Sequence, residues 1–145
     1  MLAVVDHETE PARLSHVPEW FEEWEQSLSR FRFDSELTRF NQTHEQPVHV
    51  SDTFWNVFQA ARKAEKMTNG LVTPTLLDAI VEAGYDRPFD ELPHLAPLTP
   101  TPTLTTSSSL ATIAFDESAR TITLPIGMGL DFGGVAKGWA VARTV

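Results

Sequence analysis

Two stretches in the first half of the chain repeat apolar residues at the spacing of an α-helix. The first follows Pro18, which suits the first turn of a helix, and glutamates separate its apolar positions Trp20, Phe21, Trp24 and Leu28. The second follows Ser51, a good N-terminal cap, and carries the stripe Phe54, Val57, Phe58, Ala61 and Ala64. Asn69-Gly70 ends it, because both residues tolerate positive φ. These patterns predict two amphipathic helices with one face in the core.

Shorter elements are predicted around these helices. Asp34 or Ser35 can cap a short helix through Leu37 and Phe40. Pro74 begins another helix at 75–83, which Gly84 closes. Brief extended pieces are expected at 2–5 and 47–50.

The last third of the chain alternates apolar and polar residues in two runs, 111–115 and 121–124, joined by a turn at Asp116-Glu117-Ser118. Five of the seven glycines then fall between Gly127 and Gly138. We expect a strand that ends at Asp131, a Gly-Gly turn, and a helix over 136–145. That helix has no C-terminal cap, which suggests a truncated chain.

Residues 88–109 form a loop rich in proline, threonine and serine, with five of the ten prolines between Pro88 and Pro102. We do not interpret it as a domain boundary, because the strands after it need a pairing partner. The predicted fold is therefore α+β, with helices packed on a mainly antiparallel sheet. Residues 1–145 form one portion of a domain that contains this loop.

Composition excludes several classes of function. The 145 residues carry a net charge of −9, so a nucleic-acid partner is not expected. Cysteine is absent, which excludes disulfides and thiolate chemistry. The first ten residues include three acidic residues and no basic one, so they are not a signal peptide. We expect a cytoplasmic protein, or a true N-terminus upstream, in which case a membrane-associated or periplasmic location is open.

The segment 129–138, Gly-Leu-Asp-Phe-Gly-Gly-Val-Ala-Lys-Gly, has the composition of a phosphate-binding turn. Glycines let a ligand approach the backbone, and the N-terminus of the following helix presents free N–H groups to an anion. Lys137 adds a cation, and Asp131 can accept hydrogen bonds. The alternative is a tight strand-to-helix turn with a surface lysine.

Two other segments carry weaker signals. Residues 68–75 form a turn and a short extended piece before a helix, which a plain helix connection would also explain. Residues 28–41 place Phe31, Ser35 and Asn41 around a predicted helix start, which capping and core packing would also explain.

Taken in order, the three segments resemble the ApbE family, the FAD:protein FMN transferases, and indicate its N-terminal half. Residues 28–41 are similar to the family pattern L-S-x-[FY]-x-x-x-S-x-[IL]-x-x-[FL]-N. Residues 68–75 partly match T-x-G-x-F-D-x-T, and residues 131–139 match D-x-[GS]-[GSA]-[IV]-[AG]-[KE]-G-[YFW] without a gap. The third pattern is the most specific. The resemblance also implies the T-fold-like α+β architecture of the family.

The resemblance implies FAD as substrate and Mg²⁺ as metal. Typical members transfer the FMN moiety of FAD to a Thr or Ser hydroxyl of an acceptor flavoprotein subunit. Carried over to this chain, the FAD-binding positions are Phe31, Leu71, Val72, Thr73, Asp131 and Lys137. The backbone carbonyl of Gly134 would bind the metal. The resemblance assigns no catalytic residue within this chain.

The chain departs from the family at two of these positions. Val72-Thr73 stands where Phe-Asp is usual, so a carboxylate contact is lost. The family's metal-binding Asp and Thr side chains belong to a second half. A non-catalytic FAD-binding or scaffold module is therefore the rival interpretation, and a fragment with an uncapped helix and open strand edges is expected to self-associate. The five histidines show no metal-binding spacing and are expected to be surface residues: His7, His16, His44, His49 and His94.

Overall fold

The structure is a computed structural model that describes residues 15–92 and 109–144, without the side chain of Phe89. Within these residues five α-helices form: α1 (Val17–Leu28), α2 (Glu36–Asn41), α3 (Asp52–Met67), α4 (Leu77–Glu82) and α5 (Ala136–Thr144). Single 3₁₀ turns occupy Phe89–Glu91 and Leu110–Thr112. The strands are β1 (Pro47–His49), β2 (Ala114–Asp116) and β3 (Thr121–Thr123). The predicted α+β class is confirmed.

Serine side chains start two of the helices, as the sequence predicted. The Ser35 hydroxyl accepts a hydrogen bond from the Thr38 backbone N–H at 3.0 Å, which decides between Asp34 and Ser35 as the cap of α2. The Ser51 hydroxyl accepts from the Phe54 N–H at 3.2 Å and caps α3. Each bond satisfies one of the free donors at a helix N-terminus.

The three strands form an antiparallel sheet in the order β1-β3-β2. Ile122 in the central strand pairs with Val48 on one side and Phe115 on the other. The predicted turn after β2 is confirmed, since the Asp116 carboxylate accepts hydrogen bonds from the backbone N–H groups of Ser118 and Ala119. The Ser118 hydroxyl also donates to this carboxylate, and these bonds lower the pKa of Asp116 below its usual value.

The core lies between helix α3 and the sheet. The predicted stripe of α3 is buried at Phe54, Val57, Phe58 and Ala61, and it packs with residues of the short helix α2, the sheet and the segment after β3: Leu37, Phe40, Ile122, Leu124, Leu130 and Phe132. Aromatic rings are prominent, with Phe40–Phe54 and Phe54–Phe132 centroids 5.0 and 5.2 Å apart. The regular apolar spacing thus located the core face of α3.

Three predicted elements differ from the structure. Residues 110–112 form a 3₁₀ turn and not the start of a strand, because Ser109 caps that turn by accepting from the Ala111 N–H. Helix α4 begins at Leu77, two residues later than predicted, after the polar contacts of Thr73 and Thr75. The segment before Asp131 is not a strand; the Asn41 side chain instead bonds both backbone groups of Leu130 at 2.8 and 2.9 Å.

Several predictions fall on residues outside the described ranges. These are the strand at 2–5, most of the loop at 88–109, the last residue of the C-terminal helix, and the two histidines His7 and His94. Among the helices that the structure does describe, none is both long enough and apolar enough to cross a membrane.

Candidate functional site

A cleft of about 610 Å³ opens between α1, α4 and the start of α5. We call it the aromatic cleft, because its apolar wall is built largely from Phe21, Trp24, Leu28, Phe31, Ile80 and Tyr85. Its polar wall contains Glu25, Ser29, Arg30, Asp131 and Lys137. Helices α1 and α5 meet beside it through an edge-to-face contact between Trp24 and Trp139, whose centroids are 5.5 Å apart.

An ion pair joins the two halves of the chain in this cleft. Arg30 Nε donates to Asp131 Oδ2 at 2.7 Å, and the two side chains are only 9% and 12% exposed. Charges so little exposed require paired partners, because removing them from water is costly. Asp131 is therefore not a free carboxylate facing a ligand; one of its oxygens is committed to Arg30.

Two aromatic rings contact the guanidinium group of Arg30. Its central carbon lies 4.1 Å from the centroid of the Phe31 ring and 4.5 Å from that of Tyr85. The rings meet edge to face with centroids 5.6 Å apart. Arg30 Nη2 also donates to the Tyr85 carbonyl oxygen at 2.7 Å. Cation–π contacts and the hydrogen bond together hold the planar group in one orientation.

The turn from Asp131 into helix α5 is closed by the second carboxylate oxygen. The Gly133 N–H donates to Asp131 Oδ1 at 2.6 Å, and the N–H groups of Val135 and Ala136 donate to the Phe132 carbonyl at 2.9 and 2.8 Å. A Cβ at position 133 would lie 2.8 Å from Asp131 Oδ1, so a side chain there would force the Asp131 carboxylate to move. At Gly134 a Cβ would meet nothing within 4 Å.

Three contacts fix the backbone that leads to this turn. The Asp131 N–H donates to the Pro74 carbonyl at 2.8 Å, which ties the segment to the start of the α4 region. Asn41 bonds Leu130, as described above. His44 Nε2 lies 3.2 Å from the Met128 carbonyl and is partly buried, so the expectation that His44 is a plain surface residue was wrong. Side-chain and backbone hydrogen bonds from three parts of the chain therefore fix the segment that leads to the turn.

The structure brings together Phe31, Asp131, Gly134 and Lys137, which all line the aromatic cleft. It does not place Leu71, Val72 or Thr73 among the lining residues of that cleft. Leu71 is 86% exposed, and the Val72 N–H donates to the Thr68 hydroxyl at 3.0 Å. The role of these three residues in FAD binding stays a prediction.

Thr73 is instead tied to Glu65. The Thr73 hydroxyl donates to Glu65 Oε1 at 3.0 Å, and the Leu110 N–H donates to the same oxygen at 3.1 Å. Beside them lies a second cleft of about 630 Å³, which we call the polar cleft: Arg62, Glu65, Lys66, Asn69, Gly70, Ser109, Leu110 and Ala111. The carboxylate of Glu65 therefore anchors the segments that contain Thr73 and Leu110.

The donors for a metal ion are few. Among the residues that the structure describes, no three His, Cys, Asp or Glu side chains lie close enough together to hold a metal. The Gly134 carbonyl is one oxygen donor, and the Asp131 carboxylate is engaged by Arg30 and Gly133. Mg²⁺ requires near-octahedral oxygen coordination, so this set is incomplete. The described residues therefore do not by themselves fit a Mg²⁺ site.

Sequence reasoning missed two residues of the cleft, Arg30 and Tyr85. Arg30 lies within residues 28–41, the first segment that resembles the family. No sequence pattern distinguishes an arginine that forms an ion pair from an arginine on the surface. Tyr85 is the only tyrosine in the chain and follows the predicted stop at Gly84. Its position directly after the C-terminus of a helix was the only sequence feature that could have drawn attention to it.

The family of the chain follows from comparison with known proteins. A model of the ApbE family matches residues 3–145. The chain belongs to the ApbE family. Comparison with curated protein sequences gave no significant match.

Solved structures of ApbE proteins have the same fold. The ApbE protein of Thermotoga maritima superposes with a TM-score of 0.77 at 18% identity, covering 95% of this chain and 45% of that one. The flavin transferase ApbE of Vibrio cholerae gives 0.71 at 20% identity, covering 99% and 46%. The apo flavinyl transferase ApbE of Pseudomonas stutzeri gives 0.75 at 17% identity, covering 97% and 46%. The chain thus spans less than half the length of these proteins.

Proposed function

We propose that this chain contributes the flavin-nucleotide cleft of an enzyme that transfers the FMN moiety of FAD to a Thr or Ser hydroxyl of an acceptor protein. The observation that carries the proposal is the aromatic cleft, where Phe31, Asp131, Gly134 and Lys137 come together from positions about a hundred residues apart in the chain. Two relatives with the same fold are named flavin transferases, which supports the same class of substrate.

The chemistry of the cleft suits a flavin dinucleotide. The rings of Phe31 and Tyr85 are 39% and 38% exposed, which offers aromatic surface to a planar ring system. Lys137 lies in the first turn of α5, where an exposed cation adds to the positive end of the helix dipole. A chain of net charge −9 needs such a local positive potential to bind an anionic ligand.

The proposed reaction is a phosphoryl transfer. The acceptor oxygen forms a bond to the FMN phosphorus, the bond from that phosphorus to the bridging oxygen breaks, and AMP leaves with the electron pair. The hydroxyl proton passes to a base, a role that no described residue is assigned. Within this chain, the residues of the cleft bind and orient FAD, and such positioning is the main contribution that proteins make to this class of reaction.

Mg²⁺ dependence is a part of the proposal that rests on the family resemblance. If it binds, Mg²⁺ would supply positive charge beside the phosphoryl oxygens of the nucleotide. The Gly134 carbonyl is the donor proposed for it here. Because the described donor set is incomplete, the other ligands must come from elsewhere in the protein or from water.

A non-catalytic FAD-binding module is the second candidate. One observation favours it: Thr73 stands where the family pattern has a carboxylate. This module would bind FAD in the same cleft and release it unchanged. Binding therefore cannot separate the two candidates, whereas transfer can.

Transfer is tested by incubating the complete gene product with FAD, Mg²⁺ and an acceptor domain that carries a Thr target, followed by in-gel flavin fluorescence. A fluorescent band that disappears with EDTA and with Thr→Val in the acceptor supports the enzyme. Tight FAD binding without a band supports the binding module. The 145-residue chain alone is expected to give no band. Its predicted self-association is tested by analytical ultracentrifugation, and a single monomeric species would contradict it.

A further inference from the structure

The guanidinium group of Arg30 is held by four partners from three parts of the chain. Asp131 and the Tyr85 carbonyl accept its hydrogen bonds, and the Phe31 and Tyr85 rings contact its planar surface. A lysine could not reproduce this arrangement, because an ammonium group is not planar and lacks the fixed fork of donors. The arrangement therefore depends on arginine at this position.

The two oxygens of Asp131 have different tasks. Oδ2 accepts from Arg30 at 2.7 Å, and Oδ1 accepts from the Gly133 N–H at 2.6 Å. Rotation of the carboxylate that broke the first contact would also break the second. The orientation of the Gly133-Gly134 turn is thus linked through Asp131 to the position of Arg30.

We propose that Arg30 is a positioning residue for the flavin nucleotide, acting through Asp131. It locks the carboxylate that closes the turn at Gly133, and so sets the start of helix α5 and the position of Lys137 at the cleft. The inference rests on the proposed function, since it takes the bound molecule to be a flavin nucleotide. The link between Arg30 and the Gly133 turn does not depend on that function.

The charge balance of the cleft supports a positioning role. Because Arg30 and Asp131 neutralise each other, the pair adds no net charge to attract a phosphate. Among the described residues, the exposed charges of this wall are Lys137 and Glu25, and the Glu25 carboxylate also lies 3.8 Å from Arg32 Nε. Arg30 therefore affects an anionic ligand through geometry, whereas Lys137 affects it through charge.

The first experiment is a double-mutant cycle on FAD affinity in the 145-residue chain, measured by flavin fluorescence titration. Arg30→Met and Asp131→Asn are each expected to weaken binding by roughly ten- to a hundred-fold, the range for loss of charge-assisted contacts. The double variant is expected to be no weaker than the poorer single variant, because both changes remove the same lock. Arg30→Lys is expected to restore only part of the affinity. Additive losses, or unchanged affinity in Arg30→Met, would overturn the proposal.

The second experiment needs no ligand, so it separates failure of this inference from failure of the proposed function. Amide exchange and ¹⁵N chemical shifts are recorded for Gly133, with the amide of Ile122 in the central strand as internal control. Arg30→Met and Arg30→Lys are both expected to lower protection at Gly133 while Ile122 stays protected. If wild type fails to bind FAD yet Gly133 responds, the proposed function is wrong and the Arg30 link stands. An unchanged Gly133 amide in a folded Arg30→Lys variant refutes the link.

Discussion

The aromatic cleft and the polar cleft have almost the same volume, about 610 and 630 Å³, but their linings differ. In the aromatic cleft the little-exposed charges of Arg30 and Asp131 form an ion pair, and the exposed lining includes aromatic surface, Glu25 and Lys137. In the polar cleft the Glu65 carboxylate anchors Thr73 and Leu110, and the described lining includes no aromatic side chain. The chemistry of the lining residues, and not the volume, therefore indicates which ligand each cleft suits.

The largest expected effect tests whether the Arg30–Asp131 pair is a structural requirement of the aromatic cleft. Arg30→Met leaves the little-exposed Asp131 carboxylate without its cation, and breaking such a pair costs about 3–5 kcal/mol. Arg32→Met is the control, because Arg32 pairs with the exposed side chains of Glu22 and Glu25. Such exposed pairs contribute at most about 1 kcal/mol. Urea denaturation followed by tryptophan fluorescence measures both; equal midpoints would contradict the prediction.

A smaller effect is expected when one lysine is removed from each of the two clefts. Lys137→Ala is expected to weaken FAD binding about ten- to a hundred-fold, since a charge-assisted contact is worth roughly 1.5–3 kcal/mol. Lys66→Ala makes the same charge change at the polar cleft and is expected to leave the FAD dissociation constant unchanged. Isothermal titration of the three proteins decides between the clefts. A larger loss in Lys66→Ala would move the proposed site to the polar cleft.

A third prediction concerns the anchoring role of the polar cleft. Glu65→Ala removes the acceptor of the Leu110 N–H and the Thr73 hydroxyl, and a lost acceptor of this kind costs about 1–3 kcal/mol. Lys63→Ala, at an exposed position of the same helix, is the control. Thermal melts are expected to show a lower Tm for Glu65→Ala alone, with FAD affinity unchanged. A stable Glu65→Ala variant with weakened FAD affinity would instead support the predicted role of residues 71–73.

The smallest effect is expected at two adjacent glycines of the aromatic cleft. Gly134→Ala adds a Cβ that meets nothing within 4 Å, so its change in unfolding free energy should stay within about 0.5 kcal/mol. Gly133→Ala places a Cβ 2.8 Å from Asp131 Oδ1 and is expected to lower both Tm and FAD affinity. Melting curves and FAD titrations of the two variants provide the test. Similar results at both positions would mean that Asp131 does not constrain this turn.

Local patterns predicted the elements whose causes are local. Ser51 and the stripe from Phe54 to Ala61 defined helix α3 and its buried face, because a cap and a 3.6-residue repeat act within one helix. The turn at Asp116 was predictable for the same reason, since its hydrogen bonds span only three residues. The resemblance of the motifs identified the family, and it named four residues that line the aromatic cleft.

Contacts between distant residues explain what the sequence did not reveal. The segment at Leu130 has the alternation of a strand, but the Asn41 side chain, 89 residues away, pairs with it. The 3₁₀ turn at Leu110 is likewise held by Glu65, 45 residues earlier. Such partners have no spacing rule, because they meet only when the chain has folded.

By itself, the sequence determined the α+β class, the core face of α3 and the segments that carry the family patterns. The tertiary structure decided how those segments combine. It brought Phe31 and Asp131 into one cleft, placed the Thr73 hydroxyl beside the Glu65 carboxylate, and paired Asp131 with Arg30. The physical reason is that a helix or turn follows from the properties of neighbouring residues, whereas an ion pair with little exposure requires two distant groups to leave water together.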